Sequence, residues 1–85
     1  MTTARAKPKK QTVWTLTISH TQGVNVDVYR SRHRALAGLA TYCREWYEME
    51  VGEPLPTQFD QATLIERYFE SVPDEWCEID KQEVQ

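Results

Sequence analysis

The 85 residues include only three glycines, two cysteines and two histidines, and none of them stands where a familiar chemistry would need it. Gly23, Gly38 and Gly52 are isolated, so no glycine-rich turn is present to wrap a phosphate. Cys43 and Cys77 lie far apart and form no Cys-x-x-Cys pair, and His20 and His33 form no His-x-x-x-His pair, so the donor spacing of a zinc site is missing. No serine sits in a nucleophile elbow. Carboxylates are plentiful, yet a general acid needs a pocket, and one thin core of this length seldom encloses one. Together these absences imply no cofactor, no metal and no enzyme. No run approaches the roughly 20 consecutive apolar residues of a membrane helix, and no hydrophobic region follows the basic first residues. A cytoplasmic chain without a membrane partner is expected. In a reducing compartment Cys43 and Cys77 read as small buried hydrophobes, with a disulfide as the alternative.

What is present is one core's worth of apolar side chains: 40% of the chain is hydrophobic and 11% aromatic. Trp14, Trp46 and Trp76 are expected to supply much of the stability, because each large aromatic removes roughly 150–250 Å² from water. Residues 1–11 carry Arg5, Lys7, Lys9 and Lys10 and nothing to bury, so a flexible basic tail is expected before a single α+β domain over 12–85.

Period-two alternation puts Trp14, Leu16 and Ile18 on one face of a first strand. After a polar loop containing Gly23 the same period returns, with Val24, Val26 and Val28 expected inward and Asn25, Asp27 and Tyr29 outward. Ser31 is placed to cap a helix of about sixteen residues whose stripe is Ala35, Leu36, Leu39, Ala40, Cys43, Trp46 and Tyr47. Gly38 costs that helix about 1 kcal/mol relative to alanine, which points to close packing there. Gly52, Pro54 and Pro56 make a loop. A second helix is expected from Thr57 or Asp60 with Ala62, Ile65, Phe69 and Val72 along one side and Leu64 and Tyr68 beside them, ended by Pro73. A third strand from Glu75 would place Cys77 and Ile79 opposite Trp76, Glu78 and Asp80. The order is ββααβ, read as a three-stranded antiparallel sheet with two helices on one face. Val13, Tyr29 and Trp76 are then expected on the open face as interface aromatics with an apolar neighbour.

Charge is divided along the chain. From Glu45 onward twelve acids face only Arg67 and Lys81, a net −10, whereas the first forty-four residues set eight bases against Asp27, a net +7. Glu45 with Glu48 and Glu66 with Glu70 are like-charged neighbours on helices, each pair costing a few tenths of a kcal/mol. The candidate partner-binding acids are Glu45, Glu48, Glu66, Glu70, Asp74, Glu75, Glu78 and Asp80, an array suited to a basic partner. Arg30, Arg32 and Arg34, beside His33, straddle the start of the first helix and form an alternative anion site.

The hairpin, the Ser31-led helix, Arg44-Glu45-Trp46-Tyr47, Ile65-Glu66-Arg67-Tyr68-Phe69 and the terminal Trp76-Cys77-Glu78-Ile79 together resemble small proteins of phages and plasmids, and anti-CRISPR and related anti-defence inhibitors, over about residues 12–82. The resemblance implies a stoichiometric inhibitor and transfers no binding residue. The expectation is a small acidic module that docks a basic nucleic-acid-binding protein. Direct nucleic-acid binding through the tail and the arginine cluster is the alternative, and a homodimer is compatible with both.

Overall fold

The fold turns on the register set by one short hairpin. In the computed structural model, which describes residues 11–84 without the side chain of Val84, β1 (Gln11–His20) and β2 (Gly23–Tyr29) are joined by Thr21 and Gln22 alone. His20 therefore pairs with Gly23, Ile18 with Asn25, Leu16 with Asp27 and Trp14 with Tyr29. Paired residues of an antiparallel ladder share a face, and a one-residue shift would turn every side chain over.

This register overturns the expected inward valines. Val24, Val26 and Val28 lie opposite Ser19, Thr17 and Thr15, on the face away from Leu16 and Ile18, and are 58%, 59% and 63% exposed. Tyr29 is corrected in the opposite sense: it shares the face of Trp14 and is half-buried, with its ring against Gly38. The close packing expected at that glycine is therefore present, and its neighbour is Tyr29.

Helix α1 (Arg32–Val51) starts where the Ser31 hydroxyl accepts the Arg34 amide at 3.1 Å. It ends at Gly52, whose φ of 84° closes the last turn with a 3.1 Å bond from its N–H to the Glu48 carbonyl. It is longer than the sixteen residues expected. Helix α2 (Gln61–Ser71) is capped by Asp60, which accepts the Thr63 amide at 2.8 Å, and Pro73 follows just beyond Val72. Strand β3 (Trp76–Val84) pairs antiparallel with β1, so the sheet order is β2-β1-β3. The protein is thus an α+β fold, a three-stranded antiparallel sheet with two helices in the order ββααβ. The basic tail falls, apart from Gln11, outside the described residues.

α1 lies against all three strands and α2 packs on α1. The core joins Leu16 and Ile18 of β1 to Leu39, Ala40, Cys43 and Tyr47 of α1 and to Leu64, Tyr68 and Val72. Each fully buried leucine contributes roughly 1.5–3 kcal/mol. The largest fully buried side chains are Tyr68, Leu16, Leu39, Leu64 and Cys43, so the tryptophans do not anchor the interior as expected. Trp14 is half-buried, Trp46 is 37% exposed and Trp76 is 51% exposed. On α2 the buried line is Leu64 and Tyr68, one turn apart, while Ile65 and Phe69 are only partly covered and Ala62 is exposed.

Candidate functional site

Three surfaces collect the residues with unspent chemistry. The first is a broad groove of about 470 Å³ between α2 and β3, lined by Ile65, Glu66, Phe69, Glu70, Glu75, Trp76 and Cys77. It exists because α2 buries Leu64 and Tyr68, which leaves Ile65 and Phe69 on its flank beside the start of β3. Glu66 and Glu70 are exposed at its rim, and the Trp76 indole is a half-exposed wall. An apolar floor with acidic edges suits a partner that offers both aliphatic contact and positive charge.

The second surface is the sheet face carrying Val24, Val26 and Val28, with Thr15 and Thr17 on the middle strand and Trp76, Glu78 and Asp80 on β3. Trp76 belongs to both surfaces. Asp80 is half-buried, and its backbone carbonyl accepts the Thr15 hydroxyl at 3.4 Å.

The third centres on Glu75, which also lines the groove. Tyr42 and Tyr68 both donate their hydroxyls to Oε1 of Glu75, at 2.7 and 2.8 Å, and Glu75 is only 6% exposed. Its inclusion among the exposed partner-binding acids is therefore corrected. The backbone bond from the Glu75 N–H to the Val72 carbonyl, 3.1 Å, tucks the residue under the end of α2 before β3 begins. Burial, and next the hydrogen bond to Glu75, push both tyrosine hydroxyls well above their ordinary range. A cleft of about 120 Å³ opens beside this cluster, lined by His20, Thr21, Gln22, Asn25, Tyr42, Trp46, Glu50 and Glu75. Tyr42, Trp46 and Glu50 recur every four residues and so share one side of α1. That spacing was the available signal for the cleft, and it was missed because Trp46 was assigned to the buried stripe.

The remaining candidate acids are dispersed. Glu45 and Glu48 are exposed on α1, Asp74 in the turn after α2 and Glu78 on β3, with Glu48 accepting the Leu55 amide at 3.4 Å. Arg30, Arg32 and Arg34 are exposed around the start of α1. Among the described residues neither they nor Arg44 form an ion pair with the acidic half. Of the two bases within that half, Arg67 is drawn over the Phe59 ring, 6.0 Å from its centroid. Cys43 and Cys77 are both free thiols, raised by burial, Cys43 to about 12. No family model matches the chain, and no curated protein and no solved structure matches it either.

Proposed function

We propose that the chain is a small acidic protein-binding module, a stoichiometric inhibitor of the anti-CRISPR type, that docks a basic nucleic-acid-binding protein in the cytoplasm. The observation that carries this reading is the groove between α2 and β3, where the half-exposed Trp76 and the partly covered Ile65 and Phe69 share one lining with Glu66 and Glu70. Exposed tryptophan beside apolar side chains is the composition of a binding hot spot, and the carboxylates around it select a cationic partner. The charge division supports the same reading, because among the described residues Arg30, Arg32, Arg34 and Arg44 make no ion pair with Glu66 or Glu70. In this reading both helices lie on the Leu16 and Ile18 side of the sheet, and the valine face stays open next to the groove.

Glu66→Lys combined with Glu70→Lys tests it. Both positions are exposed, so circular dichroism and melting temperature should stay as in the wild type. Immobilised wild-type protein should retain a nucleic-acid-binding protein from a bacterial lysate at low salt and, when added in solution, should displace DNA or RNA from it in a mobility-shift assay. The double variant should do neither. Undiminished binding by the charge-reversed protein removes the proposal.

A second reading, direct binding of nucleic acid, is favoured by Arg30, Arg32 and Arg34, which are exposed around a helix N-terminus that carries no acid in its first turn. Failure to retard any DNA or RNA at low salt disposes of it. A homodimer through the valine face is compatible with either reading, and a monomeric mass by light scattering at high concentration ends that idea.

A further inference from the structure

We propose that the 120 Å³ cleft between the β1–β2 turn and α1 is a receptor for one organic cation, an alkylammonium or guanidinium head group. The cleft shares only Glu75 with the groove between α2 and β3, and the inference does not depend on the docking reading.

The size comes first. About 120 Å³ is roughly four water volumes of about 30 Å³ each, and well below the ~300 Å³ of the smallest drug-sized sites. One head group fills it, with the rest of any larger molecule left outside.

The lining then selects the sign of charge. Two carboxylates, Glu50 and Glu75, face the cleft, and it contains no lysine or arginine. Its walls are rings: His20 stacks on Tyr42 with centroids 6.4 Å apart and planes at 30°, and Trp46 stands 6.4 Å from Tyr42 with planes tilted by 40°. Aromatic faces attract a cation within about 6 Å of the ring centroid, and tryptophan does so best. The Gln22 N–H donates to His20 Nδ1 at 3.2 Å, which fixes the ring as a wall.

Glu75 is the decisive residue. Oε1 takes both tyrosine hydroxyls, whereas among the described residues no donor reaches Oε2. Among the described residues no buried side-chain oxygen or nitrogen lacks a partner, so Oε2 keeps an accessible surface although the residue is 6% exposed. A carboxylate buried to that degree, lining the cleft and with one oxygen not taken by the tyrosines, is set to accept N–H donors from a ligand.

The experiment is an NMR titration at constant ionic strength with agmatine, butylammonium and neutral 1-butanol. Agmatine or butylammonium should give saturable shifts at the Trp46 indole N–H and the Gln22 amide, and 1-butanol should not. Glu75→Gln keeps an acceptor for both tyrosines but removes the negative charge, and should weaken the cation at least about tenfold. Glu50→Gln and Trp46→Ala, at exposed positions, should each weaken it severalfold and keep the proposal testable should Glu75→Gln fail to fold. An arginine-containing tripeptide separates the sources: tighter binding than agmatine identifies a partner's side chain, and weaker binding a free small cation. Absence of saturable shifts at Trp46, equal shifts from 1-butanol, or affinities unchanged in the variants would overturn the proposal.

Discussion

The ring of Tyr29 closes over Gly38 so tightly that a Cβ built on the glycine would stand 2.6 Å from the Tyr29 Cζ. Alanine at that position would gain about 1 kcal/mol of helix propensity, while overpacking costs 1–3 kcal/mol. Gly38→Ala should therefore lower stability by up to about 2 kcal/mol. In a Tyr29→Leu background the same change should be neutral or stabilising. Urea denaturation of the two single variants and the double variant measures the coupling, and a stabilised Gly38→Ala single variant would show that the contact is slack.

The shared acceptor of Tyr42 and Tyr68 gives a second prediction. Tyr68→Phe removes one of two donors to Glu75 and should cost about 1 kcal/mol, whereas Glu75→Leu strands two hydroxyls, one of them fully buried, and should cost about 1–3 kcal/mol. Glu75→Gln keeps the acceptor and should lie below both. Urea midpoints at neutral pH rank the three.

The same cluster predicts alkaline sensitivity. Tyr68 and Cys43 are completely buried, and both have values raised in the folded protein above the unfolded 10.0 and 9.0, Cys43 to about 12. Below about pH 9 both groups are protonated in either state and their contribution is complete. As pH rises further, the unfolded chain gives up protons that the folded protein keeps, so stability falls by up to about 1.4 kcal/mol per pH unit for each group. Urea midpoints at pH 8 and pH 11 should show the decline, and Tyr68→Phe should reduce its slope.

Thiol chemistry should follow burial. Both cysteines are free, Cys43 fully buried and Cys77 partly covered. Maleimide should label Cys77 before Cys43 in the native protein and both at once in urea, as read by mass spectrometry.

The valine face should be energetically quiet in the monomer. Replacing Val24, Val26 and Val28 together by threonine should change stability by no more than about 0.5 kcal/mol per position, because each is already more than half exposed. Leu16→Ala on the other face of the sheet should cost about 2–5 kcal/mol.

Much of the architecture was legible because local signals carry it. Ser31 and Asp60 are caps, Gly52 and Pro73 follow helix ends, and the phase of β3 agrees with its pairing, Ile18 to Cys77 and Leu16 to Ile79. The phase of β2 was misread because hydrophobicity was taken to mean inward. The loop length argued otherwise: with only Thr21 and Gln22 in the turn, the valines must fall opposite Thr15, Thr17 and Ser19. The burial of Glu75 was not legible, since it depends on two hydroxyls arriving from α1 and α2, which no local pattern in the chain records. The Ile65 and Phe69 flank was hidden for a related reason: both are apolar at helical spacing, and only the packing of α2 on α1 decides that Leu64 and Tyr68 are buried instead.

The central strand is the first to be synthesised, yet one of its two neighbours is the last. Because Gln11 pairs with Val84 and Ser19 with Trp76, the hairpin must wait until both helices and residues 76–84 have left the ribosome before β1 gains its second partner. Closure over such a separation makes assembly slow relative to a helical bundle of equal length. Losing the final strand would therefore remove half of the hydrogen-bonded environment of β1, so translation that stops at Pro73 should yield a chain with no stable fold.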